Sequence, residues 1–277
     1  MTDTSSVSAV VCTLNSINSI RECLKAARES GVGEVIVVDG HSTDGTLDVA
    51  HELADKVVND ERRGLGFARN LGIAESKGDY VLNLGSDNVI TRRALEVMLS
   101  HLENGHVDGV GALTRVKSQD YLSRCMNIWW KARFRPGPAA VIGTPTLMKG
   151  ELLRSSPFNS DRRFSDDSEL CERWNRNFGS QFMISTAQVL EVGKTNWSEI
   201  SARAKIYGIS DSEVFEAGIA EGWGLLRRIK SISHPMRVDY FEVVRHSSPL
   251  EAIYSTPFLL FFTLSRYLAW WGVARSR

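Results

Sequence analysis

The first hundred residues alternate between short apolar runs and segments whose apolar residues recur at helical spacing. The apolar runs predict buried strands at residues 7–13, 34–38, 56–58 and 79–84, and the periodic segments predict helices at residues 17–30, 46–54, 66–76 and 91–102. Strands that alternate with helices usually pair in parallel, because each helix returns the chain to the same end of the sheet. The chain is therefore predicted to be an α/β protein with a Rossmann-like, mostly parallel central sheet flanked by helices.

Beyond residue 108 the pattern is less regular. Strands are predicted at residues 110–116, 141–148 and 181–192, helices at 168–177 and 198–220, and either a helix or an aromatic-rich loop at 121–134. The sequence shows no internal repeat.

The charge balance and the cysteine content bear on nucleic-acid binding and on the cellular compartment. Lys plus Arg equals Asp plus Glu at 33 each, so the net charge gives no argument for nucleic-acid binding. The four cysteines form no C-x-x-C pair and are predicted to be buried thiols in a reducing compartment. The first fifteen residues lack the basic start and long apolar stretch of a signal peptide. We therefore expect a cytoplasmic chain.

Polar side chains follow three of the predicted strands at the point where each strand ends. Asn15, Asp39 and Asp87 lie at or just past these ends. The carboxyl ends of parallel strands meet at one edge of a sheet, where ligands of such folds bind. The sequence therefore predicts a ligand site that includes these three residues.

Each candidate residue allows a functional and a purely structural interpretation. A carboxylate at Asp39 can bind a base and a ribose hydroxyl, or it can brace the turn at residues 39–46. Arg69 can bind a phosphate, or it can be a solvated charge on a helix. Asp87 can hold magnesium or manganese with diphosphate and water as the other ligands, or it can close an Asx turn.

Asp166 and Asp167 stand side by side just before a predicted helix. Neighbouring carboxylates repel each other, which raises the pKa of one of them and suits a general base. Acidic residues also favour a helix N-terminus, so the pair alone does not decide between these roles.

Taken in order, these segments resemble the family 2 glycosyltransferases. The matching segments are CTLN at 12–15, VVDGHSTDGT at 37–46, GFARNLGI at 66–73, GDYVLNLGSDN at 78–88 and FSDDSEL at 164–170. The resemblance implies a GT-A fold, a nucleotide-sugar donor, a divalent metal (manganese or magnesium) and direct displacement with inversion at the anomeric carbon. We expect a UDP-sugar as the donor, with a GDP-sugar as the second choice.

The resemblance also assigns roles to individual positions. The resemblance implies that Asp39 binds the nucleobase of the donor. Seven positions in all would line the donor site: Thr13, Leu14, Asn15, Asp39, Arg69, Ser86 and Asn88. Asp87 matches the last acid of the D-x-D motif and would hold the metal. Asp167 matches the acid that deprotonates the acceptor hydroxyl, and Asp166 replaces the usual Glu before it. Residues 1–108 would then be the nucleotide-sugar-binding half of one domain, and residues 109–222 its acceptor-binding and catalytic-base half.

The sequence departs from the family pattern at several positions. Gly85 replaces the first acid of the D-x-D motif, and Gly40 replaces the second acid of the pair that begins at Asp39. Residues 192–195 read VGKT where some members supply a metal-binding His. The Q-x-x-R-W signature of processive synthases is missing, which favours transfer of a single sugar.

Residues 223–277 are predicted to be a C-terminal helical, apolar segment. Arg266 is the only charge between residues 252 and 274, and its insertion at the centre of a bilayer would cost about 2.5–3.5 kcal/mol. We expect interfacial helices on the inner leaflet of the membrane, with the nearby cations facing anionic lipid: Arg227, Arg228, Lys230 and Arg237. Burial against the rest of the protein, burial in a homodimer and a true span remain alternatives.

Two other functions stay open at the level of sequence. A sugar nucleotidyltransferase has a related fold but would carry a G-x-G-x-R loop after its first strand, where this chain has NSIN at residues 15–18. A non-catalytic nucleotide-sugar-binding protein is the other alternative, because Gly40 and Gly85 replace acids. The apolar C-terminal segment suggests a polyprenyl-linked or surface-glycan acceptor.

Overall fold

The computed structural model describes residues 3–105, 107–117, 120–160, 166–193 and 196–275. The strands in these ranges are β1 (Val7–Thr13), β2 (Glu34–Asp39), β3 (Lys56–Asn59), β4 (Tyr80–Gly85), β5 (Asn88–Val89), β6 (Gly109–Val116), β7 (Gly137–Ala139), β8 (Thr146–Lys149) and β9 (Phe182–Glu191). The α-helices are α1 (Ile20–Glu29), α2 (Thr46–Leu53), α3 (Leu65–Glu75), α4 (Arg92–Asn104), α5 (Tyr121–Arg133), α6 (Gly150–Ser155), α7 (Asp166–Phe178), α8 (Trp197–Ala220), α9 (Leu225–Ile232), α10 (Glu242–His246) and α11 (Pro249–Arg275). A 3₁₀ turn covers Thr4–Ser6, and a π-helical segment covers Met236–Phe241.

The chain forms two compact units. Unit 1 consists of Met1–Arg115 and Pro136–Gly193, and unit 2 consists of Val116–Arg135 and Lys194–Arg277. These bounds differ from the predicted division at residues 108 and 222, because α5 and α8 pack with the C-terminal helices. The functional division into two halves of a domain stays a prediction.

Unit 1 is built on one sheet. Its strands lie in the order β3-β2-β1-β4-β8-β6-β9-β5, and β7 pairs with β9. The first four strands in that order are parallel, which confirms the predicted α/β sheet. The further pairings described, β4 with β8, β6 with β8, β5 with β9 and β7 with β9, are antiparallel.

Helices cover both faces of this sheet. Val10 and Val38 contact α3 at Gly72, where a Cβ atom would lie only 2.4 Å from Val10. The alternate residues Val11 and Val37 face the other way, into a core with α1, α2 and α4. Residues of this kind contribute about 1.5–3 kcal/mol each when they are fully buried. Burial on both faces explains why residues 9–12 of β1 and 35–38 of β2 are continuous apolar runs with no polar alternation.

Unit 2 is a set of helices around an aromatic core. Trp129, Phe258 and Phe262 are fully buried in it, and the Phe262 ring contacts the rings of the other two. The close approach of α8 to α11 requires Gly208, because a Cβ atom there would lie 2.1 Å from the carbonyl oxygen of Arg266. This glycine allows the backbones of the two long helices to touch.

Arg266 is buried in unit 2 inside a network of charges. It is 2% exposed, and its guanidinium donates to both oxygens of Asp211 and, at 2.7 Å, to Oδ2 of Asp239. Asp239 also accepts from Trp129 and Arg133. The one charge within residues 252–274 is therefore neutralised by protein. Over the residues that the structure describes, no helix is both long enough and apolar enough to cross a bilayer.

Candidate functional site

The carboxyl ends of β1, β2 and β4 lie side by side in unit 1. Thr13 is in register with Asp39, and Cys12 is in register with Gly85. The predicted convergence of the strand ends is thus a property of the parallel pairing. It brings the loops that begin at residues 14, 40 and 86 to one edge of the sheet.

Hydrogen bonds tie these three loops together. The Asn15 N–H donates to Ser42 Oγ at 2.9 Å, and the Ser42 N–H donates to Asp39 Oδ2 at 2.9 Å. Ser86 Oγ donates to Ser16 Oγ at 2.8 Å, which connects the β4 loop to the β1 loop. These hydrogen bonds hold the three loops together in the absence of a ligand, and they involve Asn15, Asp39 and Ser86.

Asp44 braces the same loops. Its carboxylate accepts from the side chain and N–H of Thr46 at the start of α2 and from the N–H of Ile17. The hydrogen bond from the Thr46 side chain is the main reason why the pKa of Asp44 lies below its usual value. Asp44 thus ties the first turn of α2 to the loop that follows β1.

Two cavities open at this edge of the sheet. One has a volume of about 450 Å³ and is lined by Asp39, His41, Ser42, Thr43, Leu47, Asn59, Glu61 and Arg62. The other has a volume of about 530 Å³ and is lined by Cys12, Thr13, Leu14, Asn15, Val38, Gly40, Asp60, Arg62, Gly64, Leu65 and Ala68. Arg62 belongs to both walls. Such volumes fall in the range of small-molecule pockets, about 300–1,000 Å³.

Backbone strain is concentrated at these cavities. Among the described residues, four that are not glycine have a positive φ: Asn15 at 49°, His41 at 61°, Glu61 at 54° and Arg62 at 59°. All four line one of the two cavities. Left-handed conformations at such residues cost about 1–3 kcal/mol each and cluster at functional sites. The strain is thus a second, independent indication of a binding site.

Asp39 and Thr13 present buried polar atoms toward this edge. Asp39 is 1% exposed, and its Oδ1 has no hydrogen-bond partner among the described residues. The same holds for Oγ1 of Thr13, which is 6% exposed. A buried acceptor without a partner lowers the stability of the fold by about 1–3 kcal/mol, so binding of a ligand that donates a hydrogen bond to it is favoured. Asp39 is therefore placed to accept from a bound molecule.

A second cluster joins α3 to the start of α7. Nη1 of Arg69 donates to Asp166 Oδ2 at 2.6 Å and to Asp167 Oδ1 at 2.7 Å, and Nη2 donates to Thr144 Oγ1 at 2.7 Å. Arg69 and Asp166 are 6% and 3% exposed. The guanidinium thus holds both carboxylates of the predicted acid pair. The predicted donor contact of Arg69 stays a prediction beside this observed role.

The electrostatics of this cluster favour a base that titrates near neutrality. Burial raises the pKa of Asp167 to about 6, while Arg69 acts in the opposite direction and Asp166 adds to the increase. Burial disfavours the Arg69 cation, but the two carboxylates outweigh this effect and raise its pKa. Asp167 is thus a carboxylate that can take a proton at neutral pH, next to an arginine that remains charged.

Open space adjoins the Asp167 carboxylate. A Cβ atom built on Gly143 would lie 3.6 Å from Asp167 Oδ2 and within 4 Å of nothing else described. A glycine at this position leaves room for a molecule beside the oxygen that is not paired with Arg69. The Asp167 side chain retains partial exposure, at 23%, whereas that of Asp166 is 5% exposed.

Cys12 lies between the two clusters. Its half-buried thiol lines the cavity of about 530 Å³ and interacts electrostatically with Arg69, Asp60 and Asp166. Burial is the main reason why its pKa is raised to about 12. Cys12, at the carboxyl end of β1, is thus close enough to Arg69 and Asp166 to interact with their charges while it also lines a cavity at the strand ends.

Asp87 sits in a tight turn between β4 and β5. Asn88 accepts from the Gly85 N–H at 2.8 Å, and its amide contacts Asp87 Oδ1 at 3.4 Å. A Cβ atom on Gly85 would lie 2.7 Å from Asp87 Oδ1. Gly85, which replaces the first acid of the D-x-D motif, therefore leaves room for the carboxylate of Asp87, the last acid of the motif.

Known proteins identify the family. Residues 8–166 match the sequence profile described as Glycosyl transferase family 2. The chain belongs to glycosyl transferase family 2. The succinoglycan biosynthesis protein ExoO of Rhizobium meliloti is 28% identical over 180 residues, which are 59% of this chain and 50% of that protein. The chain spans between 30% and 50% of the length of three curated relatives that it matches.

Solved structures of low sequence identity share the fold. Glucosyl-3-phosphoglycerate synthase from Mycobacterium tuberculosis, in complex with Mn²⁺, uridine diphosphate and glucosyl-3-phosphoglycerate, has a TM-score of 0.51 and 19% identity over 68% of this chain and 72% of that chain. S. aureus TarS 1–349 has a TM-score of 0.53 and 16% identity over 98% of this chain and 92% of that chain. The predicted GT-A fold class is confirmed by these neighbours.

The candidate site contains residues that the sequence analysis did not single out. Thr144 holds Arg69, and its backbone also stabilises the Asp167 carboxylate. Glu191 is buried at the end of β9, paired with Asn88 beside the Asp87 turn. The Gly-Thr-Pro sequence at residues 143–145 is a turn signal that could have indicated the first position, although a strand was predicted there, whereas no local signal indicates Glu191. Residues 164 and 165 of the FSDDSEL motif and residues 194 and 195 of VGKT lie outside the described ranges.

Proposed function

We propose that this chain transfers one sugar from a UDP-sugar to a hydroxyl acceptor, with inversion at the anomeric carbon and with a divalent metal. The observation that carries the proposal is the juxtaposition at one sheet edge of two features. One is the unpartnered buried oxygen of Asp39, and the other is the Asp167 carboxylate with its raised pKa. The first suits recognition of a base, and the second suits deprotonation of a hydroxyl.

The donor half of the proposal rests on Asp39, Thr13 and the strained loops. An imide N–H of uracil or a ribose hydroxyl would donate to Asp39 Oδ1, and the loops at residues 13–15 and 59–64 would enclose the nucleoside. Leu14, half exposed in the cavity wall, offers an apolar surface to the base. The solved mycobacterial neighbour is a complex with uridine diphosphate, which supports the choice of UDP over GDP.

The turn between β4 and β5, which contains Asp87, fits a metal ion whose ligands come mainly from the diphosphate of the donor. In the part of the chain that the structure describes, no group of three or more His, Cys, Asp or Glu side chains could hold a metal. Magnesium and manganese need few protein ligands, because they bind one or two carboxylates together with substrate phosphates and water. Asp87 would hold such an ion, which would neutralise charge on the departing diphosphate.

Asp167 supplies the base in this proposal. The acceptor oxygen attacks the anomeric carbon from the face opposite the diphosphate, and its proton passes to Asp167 as the new C–O bond forms. The bond from the anomeric carbon to the diphosphate oxygen breaks, and the nucleoside diphosphate leaves with that electron pair. Arg69 keeps the Asp167 carboxylate ionised and oriented, and the space beside Gly143 receives the acceptor.

The acceptor is proposed to be a hydroxyl of a surface glycan or of a polyprenyl-linked precursor. The name of ExoO states that this relative acts in succinoglycan biosynthesis. We also propose that one sugar is transferred per acceptor, because the sequence lacks the Q-x-x-R-W signature of processive synthases.

Replacing Asp39 by Asn is expected to weaken binding of uridine diphosphate by about 10–150-fold. The change removes a charge-assisted hydrogen bond that is worth about 1.5–3 kcal/mol. Isothermal titration with uridine diphosphate and Mn²⁺ measures this effect. Asp48→Asn, on an exposed position of α2, is the matched control and should bind like wild type. Unchanged affinity in a folded Asp39→Asn protein would remove Asp39 from the donor site.

The raised pKa of Asp167 predicts the pH dependence of transfer. The ionised carboxylate is the active form, so kcat/KM should rise about tenfold per pH unit below pH 6 and level off above it. A profile of initial rates between pH 4.5 and about pH 8 gives the result. A rate that falls as pH increases through this range would require a protonated group in place of the proposed base.

The two alternative functions differ in their products. A nucleotidyltransferase would release or consume pyrophosphate, whereas the proposed reaction releases uridine diphosphate. A non-catalytic binder would release neither when it is incubated with UDP-sugars and metal.

A further inference from the structure

The exposed side of α11 is apolar along its whole length. Its large exposed side chains are spaced by three, four or seven residues, which places them on one face of the helix: Leu250, Ile253, Leu260, Leu264, Leu268 and Trp271. Leu250, Leu264 and Leu268 are 80%, 60% and 66% exposed. The opposite face is buried and includes Phe258, Phe262 and Trp270. A helix at a water-facing surface normally carries polar residues on its outer side, which α11 does not.

Charges do not interrupt this apolar row. Between residues 252 and 273 the only charged residue is Arg266, which is buried against Asp211 and Asp239. Glu251 lies at the first turn, where it accepts from Ser248. The outer face of α11 therefore has the character of a surface that is covered in the working protein.

α9 has a similar property and adds positive charge. It is amphipathic, yet none of its residues is buried. The side chains of Leu225, Leu226, Ile229 and Ile232 are between 48% and 85% exposed. Residues 224–238 contain Arg227, Arg228, Lys230 and Arg237 and no acidic residue. The end of α9 is attached to α11, because the Tyr267 hydroxyl donates to the Ile232 carbonyl at 2.7 Å.

We propose that α9 and the outer face of α11 form a membrane-docking surface for the anionic headgroup region of a bilayer. Helices with an apolar face and a basic polar face lie in the plane of the interface, and each cation contributes about 1 kcal/mol near an anionic surface. Trp271 and Tyr254 are exposed on α11 and are residue types that favour the interface. The buried ion pairs of Arg266 allow α11 to lie on lipid without a charge on its outer face.

The positive charge of α9 decides between lipid and a second copy of the chain. Two copies that met through α9 would bring Arg227, Lys230 and Arg237 toward the same residues of the partner, with no acidic residue in 224–238 to pair with them. Anionic phospholipid complements this surface in both charge and apolar character. The inference depends on unit 2 alone and does not require the proposed sugar transfer.

Sedimentation of the full chain with phospholipid vesicles tests the proposal. Vesicles of phosphatidylcholine with about 30% phosphatidylglycerol should carry the protein into the pellet, and pure phosphatidylcholine vesicles should carry much less. Leu264→Gln/Leu268→Gln in α11 and Leu226→Gln/Ile229→Gln in α9 should each lower the partition coefficient by about tenfold or more. Arg227→Gln/Lys230→Gln should reduce binding to the anionic vesicles only.

Control variants separate docking from misfolding and from catalysis. Val141→Gln/Phe178→Gln changes two apolar side chains of unit 1 that are 40% and 54% exposed, and it should leave sedimentation unchanged. Asp167→Asn should also bind vesicles like wild type, even though it is expected to be slow in transfer. Circular dichroism melts establish that each variant is folded.

Three results would overturn the docking surface. The first is wild-type protein that stays in the supernatant with anionic vesicles. The second is α9 and α11 variants that sediment like wild type. The third is a wild-type dimer in analytical ultracentrifugation that Leu264→Gln/Leu268→Gln converts to monomer, without any vesicle binding, and this result would assign the apolar row to a second copy of the chain.

Discussion

Replacing Asp167 by Asn is expected to lower turnover by about 10²–10⁴-fold while donor affinity stays near that of wild type. The amide keeps the shape of the carboxylate and its contact with Arg69, but it cannot accept the proton of the acceptor hydroxyl. Steady-state transfer rates and titration with uridine diphosphate separate the two effects. The loss should appear in kcat, because the base acts as the new bond forms.

Two neighbouring substitutions serve as controls for this result. Asp166→Asn should be milder, since Asp166 is buried against Arg69 and has less access to an acceptor. Glu169→Gln lies on the same helix, where Glu169 pairs with Arg173, and should leave turnover near wild type. If Asp167→Asn turns over normally while it remains folded, the base has been assigned to the wrong residue.

Replacing Asp87 by Ala is expected to reduce metal-supported transfer by about 10²-fold or more. A Lewis-acidic ion at the diphosphate is worth several kcal/mol, and this substitution removes its proposed carboxylate ligand. Wild-type protein should lose activity in chelator and regain it with Mn²⁺ or Mg²⁺. Rates measured against metal concentration for both proteins give the comparison.

Asp79 provides the matched control for the metal prediction. It is exposed just before β4, at the opposite end of the strand from Asp87. Asp79→Ala should show the wild-type dependence on metal. Full activity of Asp87→Ala in the presence of chelator would exclude a metal role for this carboxylate.

Local pattern was sufficient to predict the strand-end site. Residues 9–12 and 35–38 are uninterrupted apolar runs because helices cover both faces of the sheet, and such runs are visible without any tertiary information. Once the strands are parallel, Thr13 and Asp39 must lie in neighbouring positions at the same edge. The predicted convergence of the strand ends at Asn15, Asp39 and Asp87 follows from the topology alone, and the roles of these residues stay predictions.

The partner of Arg69 could not be predicted from local pattern. Arg69 and Asp166 are 97 positions apart, and neither residue type reveals its contacts through periodicity. The predicted strand at residues 141–148 was also too long, because strand structure begins only at Thr146. Pro145 lacks an N–H, and the preceding Gly143 and Thr144 adopt the loop that holds Arg69 and Asp167.

The C-terminal segment shows a different limit of sequence pattern. Hydropathy alone presents Arg266 as a cost within an apolar helix, and it does not reveal that Asp211 and Asp239 neutralise this charge. The same pattern cannot separate the buried face of α11 from its exposed one, because both are apolar. Tertiary packing against α8 makes that distinction.

The anomeric configuration of the sugar released from a UDP-sugar tests the central claim most directly. Proton NMR during slow hydrolysis of α-linked UDP-sugars, with Mn²⁺ and with water as the acceptor, resolves the first-formed anomer before mutarotation. The account predicts release of uridine diphosphate with the β-anomer formed first, and loss of this reaction in Asp167→Asn. First formation of the α-anomer, or no hydrolysis of any UDP-sugar or GDP-sugar, would contradict it.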